Sequence, residues 1–337
     1  MQKPRERASR MENKAKKLFL GIDTSNYTTS VALCDGEGCV LLNAKKLLPV
    51  APGERGLRQS DALFAHSKNL PEVMRVLNNF LGENFPGREI AAIGYSATPR
   101  DIEGSYMPCF LAGVSAASSV SAALGCPSYS FSHQGGHVTA ALYSANMLSL
   151  LDGDTRFAAF HVSGGTTDIL LVTPNGEGYF SVEQIGGSQD INAGQAIDRT
   201  GVLMGICFPC GREMEKICSE KDYPRQKTRI SVKGLYANLS GLENLAAKLY
   251  AESSDRGLVS AYCFDFVADT LSSLTENLRC EYPDIPVIYA GGVMSNKRIR
   301  AKLEKFDKVF FSEPEFSSDN AAGVALMARR RYLNEKD

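Results

Sequence analysis

The chain lacks an excess of charge of either sign. Its 37 Lys and Arg residues stand against 38 Asp and Glu, a formal net charge of -1. A surface basic throughout is thereby excluded, and a nucleic-acid partner would need a local basic patch. Two glycine-rich nucleotide loops are absent: there is no G-x-x-x-x-G-K-[ST] and no G-x-G-x-x-G after a strand. No H-E-x-x-H occurs either, so a zinc protease of that type would lack its base. Long apolar runs are missing as well. The most apolar stretch, residues 108–124, is rich in Ala and Ser and reads as a buried helix, not a membrane span. Of the nine cysteines, Cys207 and Cys210 form a C-x-x-C with Cys218 nearby, but no second pair follows. They read as partly buried thiols in a reducing cytoplasm.

A length of 337 residues with 44% hydrophobic content suits two ordinary domains or one double-lobed unit. Residues 1–17 carry seven Lys or Arg and two Glu without the apolar core of a signal peptide. They read as a basic disordered tail, with Met1 and Met11 both candidate starts. Residues 18–150 form the expected N-terminal lobe and 151–316 the C-terminal lobe. Residues 317–337 are a closing helix returning toward the N-terminal lobe.

Residues 18–23 read as a strand ending in Asp23, and residues 30–34 as its return. The polar turn Thr24-Ser25-Asn26-Tyr27-Thr28-Thr29 joins them. The pattern recurs about 140 residues later, with residues 158–162 and 168–172 around Ser163-Gly164-Gly165-Thr166-Thr167, and suggests a duplicated architecture. Helical spacing appears over residues 61–81, interrupted by Pro71, and over 110–124, 191–205, 211–220, 262–279 and 320–334. Strands are expected at 90–96 and 286–290. Strands alternating with helices give an α/β protein.

Half of the four histidines lie in one pair, His133 and His137, four residues apart. On a helix they would face the same way and offer one ring nitrogen each to a metal. Asp319, before the last helix, has two readings that spacing does not separate. It is a helix cap, or the carboxylate of a two-histidine, one-carboxylate site for Fe(II) or Zn(II). The turn at Ser163, Gly164 and Gly165 is an ordinary hairpin tip or a phosphate cradle of backbone N–H groups and hydroxyls. The duplication and a second pair, Gly291-Gly292 at a strand end, favour the cradle. His161 lies in a strand and reads as packed, while His66 sits on a helix facing either way.

Together these segments resemble the TsaD family, once called O-sialoglycoprotein endopeptidases. The matching pieces are Gly21-Ile22-Asp23-Thr24-Ser25, His133-x-x-x-His137, Val162-Ser163-Gly164-Gly165-Thr166-Thr167, Ala193-Gly194-Gln195-Ala196-Ile197-Asp198-Arg199, Ser240-Gly241-Leu242, Ala290-Gly291-Gly292-Val293-x-x-Asn296 and Ser318-Asp319-Asn320. They run from about Leu18 to about Arg331. The resemblance implies the duplicated two-lobed α/β fold of actin, sugar kinases and heat-shock-chaperone ATPases. It implies one divalent metal, Fe or Zn, on His133, His137 and Asp319. It also implies an adenine nucleotide or adenylate, with Ser163, Gly164 and Gly165 on the phosphate side. Asp198 and Gly211 would lie at the ribose or base, with Gly291, Gly292 and Asn296 also at the nucleotide. The implied reaction is transfer of threonylcarbamoyl from its adenylate to an adenosine of tRNA, with accessory subunits, in the cytoplasm and without a membrane partner.

This chain departs from the family pattern at several positions. The family's first turn reads Cys-Asp-Glu-Thr where this chain has Asn26-Tyr27-Thr28-Thr29. A threonine or tyrosine has the wrong pKa to replace a carboxylate as base at neutral pH. Its Gly-Gly-His-Thr is Gly164-Gly165-Thr166-Thr167 here, its Ala-Gly-Glu is Ala193-Gly194-Gln195, and the lysine after its Ser-Gly-Leu is Glu243. The chain therefore reads as a divergent paralogue. Three functions fit: a TsaD-like transferase, a related carbamoyl transferase with a different acceptor, or a non-catalytic nucleotide- and metal-binding module acting through protein contacts.

Overall fold

A computed structural model of the chain describes residues 17–25, 27–49, 57–175, 179–316 and 321–336. The basic tail through residue 16, Asn26 and Asp319 lie outside the described residues. The first elements are β1 (Leu18–Ser25), β2 (Thr28–Asp35), β3 (Val40–Leu47), α1 (Gln59–Asn84), β4 (Ile90–Thr98), α2 (Phe110–Leu124), β5 (Ser128–Ser132) and α3 (His133–Ser144). Next come β6 (Phe157–Val162), β7 (Thr167–Pro174), β8 (Phe180–Ser188), α4 (Ala193–Leu203), α5 (Gly211–Ser219), β9 (Ser231–Lys233), β10 (Tyr236–Asn238) and α6 (Gly241–Ser253). The chain continues through α7 (Arg256–Glu281), β11 (Val287–Ala290), α8 (Lys297–Leu303), β12 (Val309–Phe311) and α9 (Ala322–Asn334). Two compact units result. One holds Met1–Asp154, Pro174–Ser181 and Ser318–Asp337, the other Thr155–Thr173 and Val182–Ser317. No helix among the described residues is long and apolar enough to cross a membrane.

The first unit is built on a sheet of order β3-β2-β1-β4-β5. The β1–β2–β3 meander is antiparallel, and β4 and β5 add in parallel. Every residue of β1 is buried, as a strand covered on both faces requires. Strand parity sorts its side chains. Leu18, Leu20 and Ile22 join Leu70, Val73 and Leu77 of α1 and Ala112 and Ala117 of α2 in one core. Gly21 instead meets α9. A Cβ there would lie 2.2 Å from the Ala321 carbonyl, and its strand neighbour Gly94 would meet the Val324 carbonyl at 2.1 Å. Side by side, the two glycines make a groove one backbone wide, in which α9 lies.

Three local expectations need correction. The first turn is shorter than the six residues read from sequence. β1 runs through Ser25 and β2 begins at Thr28, with Ser25 paired to Thr28, because Thr24 and Thr29 also join the ladder. Pro71 does not interrupt α1. The helix passes through it, since Leu70, Val73 and Leu77 keep one buried stripe on the sheet, and that burial outweighs the missing N–H. Likewise α7 begins at Arg256, six residues before the expected start, because Asp255 caps it by accepting from Gly257 and Leu258.

The second unit carries a sheet of order β12-β11-β6-β7-β8-β10-β9. Its centre repeats the first unit's plan: the antiparallel β6–β7 hairpin is followed by parallel β11 and β12, as β1–β2 is by β4 and β5. α7 is the core helix, with Phe264, Phe266, Leu271, Leu274 and Leu278 buried. Asp265 lies on the same helix with its side chain only 1% exposed. It accepts from Arg225 at 2.6 Å, from Arg298 Nε and Nη2 at 2.8 Å each, and from the Gln226 amide at 2.8 Å. Removing the carboxylate would leave the buried side of two guanidinium groups uncompensated. Asp265→Ala is expected to destabilise the second unit by about 3–5 kcal/mol in urea denaturation. A loss below about 1 kcal/mol would place the pair among inconsequential surface bridges.

Candidate functional site

In the first unit the histidine pair sits at the very start of α3, directly after β5. Ser132 caps this helix, accepting from the Gly135 amide at 3.0 Å and donating to Asp101 at 2.7 Å. His133 is therefore the first helical residue, with its ring centroid 4.3 Å from that of His137. Its Nδ1 lies 3.1 Å from Asp23 Oδ1. Asp23 has odd parity on β1, as Gly21 does, and is fully buried. Ser25 donates to its other oxygen at 2.5 Å. Burial opposes its ionisation, but the His133 ring and the Ser25 hydroxyl outweigh burial and hold the carboxyl below the usual carboxylate range. A carboxylate on Nδ1 fixes the imidazole's tautomer and orientation, so any metal would bind through Nε2.

The glycines between the histidines also have a packing role. A Cβ on Gly323 of α9 would lie 1.9 Å from the Gly136 carbonyl, so the two helices touch backbone to backbone. The start of α9 is thus held against the turn of α3 that carries His137. Among the described residues no group of three His, Cys, Asp or Glu is assembled to hold a metal.

Of the altered turn, Thr29 faces the interior: its hydroxyl is 2.9 Å from Nδ1 of His66, which is fully buried on α1. Thr28 is buried and Tyr27 half-buried. Thr24 serves α2, accepting from the Gly113 amide at 3.0 Å and donating to the Cys109 carbonyl at 3.1 Å.

In the second unit three segments converge where β6 ends. The turn closes with Ser163 N donating to the Thr166 carbonyl at 2.7 Å, and Gly165 N lies 3.3 Å from Ser163 Oγ. The start of α4 packs under it: Gly194 N donates to the Ser163 carbonyl at 3.1 Å, and a Cβ on Gly194 would lie 2.6 Å from Gly164 Cα. Gly291, at φ 101°, meets the same strand end, where a Cβ would lie 2.2 Å from the Val162 carbonyl. Gly164, Gly165 and Gly292 face open space. These three glycines put no side chain of their own in the way of an anion, and the Ser163 hydroxyl lies beside the Gly165 amide.

Asp198 and Gly211 are also together. Asp198 Oδ1 accepts from the Cys210 amide at 2.7 Å, fixing the start of α5 at Gly211. Burial raises the Asp198 pKa, partly offset by that bond. Asn296, 6% exposed, caps α8 by accepting from the Ile299 amide at 3.0 Å. Three polar groups escaped the reading from sequence. Asp23 was visible as an acid, but its partner is 110 positions away. The box between Asn192 and Gln195 at the start of α4 was readable from its spacing. Asp190 ties the Ser240-Gly241-Leu242 segment to the approach to α4. It accepts from the Leu239, Ser240 and Ile191 amides, and although partial burial opposes ionisation, these bonds bring its pKa down to about 2.

A profile of the TsaD family, described as tRNA N6-adenosine threonylcarbamoyltransferase, matches residues 53–326. The chain belongs to the TsaD family. The solved structures it resembles give the fold alone. Full-length HypF in a phosphate- and nucleotide-bound form matches at TM-score 0.57 and 12% identity, over 94% of this chain and 46% of that one. HypF of T. kodakarensis matches at 0.57 and 12%, over 95% and 48%. Component A of Acidaminococcus fermentans (R)-2-hydroxyglutaryl-CoA dehydratase matches at 0.50 and 14%, over 94% and 99%. The chain thus spans about half the length of the HypF chains. The fold is the duplicated α/β architecture of the actin, sugar-kinase and heat-shock-chaperone ATPase class.

Departures from the TsaD pattern acquire physical roles. Gln195 stands where the resemblance places a glutamate, and its Oε1 accepts from the Asn192 amide at 3.1 Å, completing the capping box. Glu243 stands where it places a lysine, and pairs at 3.3 Å with Arg199, another substituted position. The turn also depends on Gly291. Gly291→Ala would combine a left-handed φ with a backbone overlap and should destabilise the β6 end by roughly 1–3 kcal/mol. Hydrogen exchange at Val162–Thr167 amides would report it; unchanged protection would remove Gly291 as a determinant of the turn.

Proposed function

We propose that this TsaD-family chain binds one divalent metal and an adenine nucleotide or adenylate, and transfers a threonylcarbamoyl group to adenosine in tRNA. The observation that carries the reading is the His133–His137 pair with His133 Nδ1 held 3.1 Å from the buried Asp23. That carboxylate–imidazole arrangement suits metal ligation. Fe(II) or Zn(II) would be held by His133, His137 and Asp319, the last of these two residues before Ala321, whose carbonyl packs on Gly21. Such an ion would supply Lewis acidity for charge developing on an acyl or phosphoryl oxygen. The glycine turn at Ser163, Gly164 and Gly165, with Gly291 and Gly292, would take the phosphate. Asp198, Gly211 and the Asn296 amide would take the ribose and base. Accessory subunits and a cytoplasmic setting go with the family.

A second reading, a related carbamoyl transferase with a different acceptor, is favoured by the altered turn. The acids of the family are absent there, and Thr29 is bound to His66 inside the first unit. Supplying folded, metal-loaded protein with threonylcarbamoyl-adenylate, tRNA and accessory proteins separates the two. Modified adenosine is expected under the first, and its absence would reject that reading. Bound metal should fall sharply in His133→Ala, and Asp23→Asn should weaken retention about 10–100-fold against a chelator. Unchanged metal content in both variants would refute the ligand set.

A further inference from the structure

A balanced chain needs a local basic patch to bind nucleic acid, and the second unit contains an ordered row of cations. Residues 225–233 form a strap along α7. Exposure alternates without a break: Arg225, Lys227, Arg229, Ser231 and Lys233 are exposed, and the residues between them are half-buried. Ile230 and Val232 pack against the unit's core. The strap's register is set by two acids one turn apart on α7. Gln226 N donates to Asp265 at 2.8 Å, and Thr228 Oγ1 donates to Asp269 at 2.6 Å. Four helical residues advance about 6 Å, so the strap moves about 6 Å per two residues, near full extension. β9 then closes the strap as the edge strand of the sheet.

The outward face thus sets Lys227 and Arg229 at about the separation of neighbouring phosphates on one nucleic-acid strand, with Lys233 two steps further on past Ser231. Arg225 is anchored to Asp265, but among the described residues Lys227, Arg229 and Lys233 have no carboxylate within ion-pair distance. No apolar side chain lies on the outward positions, and lysine is depleted at protein–protein interfaces. Arg, Lys and Ser are instead the side chains that contact phosphate and sugar. We propose that this strap binds the phosphate backbone of RNA, positioning it without reading its sequence. The proposal deepens the tRNA reading above and rests on it for the identity of the RNA.

The test uses the full chain, unmodified tRNA and the triple variant Lys227→Ala/Arg229→Ala/Lys233→Ala. Its melting temperature checks folding, and Lys216→Ala/Lys248→Ala serves as the charge control. Binding of tRNA is measured from about 50 to 300 mM salt. The triple variant should bind at least about tenfold more weakly, and its slope of log affinity against log salt should be shallower by about 2–3. The control should keep the wild-type slope to within about one phosphate contact. A triple variant with wild-type affinity and slope would overturn the proposal, as would a wild-type chain that binds no tRNA. Equal binding of polyglutamate, lost in the same variant, would replace RNA by an acidic protein and also overturn it. Failure of the tRNA-transfer reading is seen separately, as a chain that binds tRNA through the strap yet yields no modified adenosine.

Discussion

Backbone-to-backbone contact between α9 and its neighbours is the constraint on which the first unit depends. Gly21 and Gly94 sit side by side on β1 and β4, and α9 lies directly over them. Gly323 presses on the Gly136 carbonyl of α3 in the same way. Close-packed interiors transmit such placements with little slack. One last helix therefore fixes α3 against β1, and the distance from His133 to Asp23 follows. The edge-on contact of Phe19 with Tyr332, with ring centroids 5.5 Å apart, extends the seam to the far end of α9. The first unit is organised around missing side chains more than around large ones.

The second unit solves its burial problem differently. A charged group sits inside α7, and its cost is offset by a fork of two arginines and a backbone amide. The same acid draws a connecting segment down onto the helix. An otherwise irregular stretch becomes extended, with one face in the core and the other in solvent. The chain's near-zero net charge conceals this segregation, because summed charge reports nothing about where charges lie.

Much of the fold was legible because it rests on local periodicity. The two hairpins and α2 follow from apolar spacing and turn chemistry, whereas the helix over the histidines, His133–Ser144, was not among the expected helices. Pro71 misled because its local penalty is smaller than the burial of the stripe around it. The turn at residues 24–29 misled because Thr24 and Thr29, polar by type, are buried and bonded to partners far along the chain, the Gly113 amide and His66. No local signal encodes such pairings. Asn296 has a side-chain amide with two faces; its capping role was written in its position before a helix, yet the family pattern drew attention to the other face. The recurring hairpin pattern pointed to a duplicated architecture, and the family motifs then specified its class.

Gln195 carries one further consequence. A glutamate at the third position of a helix closes a capping box and also places a negative charge against the helix's positive end. Glutamine makes the same bond to Asn192 with no charge at all. The first turn of α4, packed beneath the Gly164 turn, keeps its full dipolar potential toward the strand end. At this position the helix start carries no titrating group, where a glutamate would bring one.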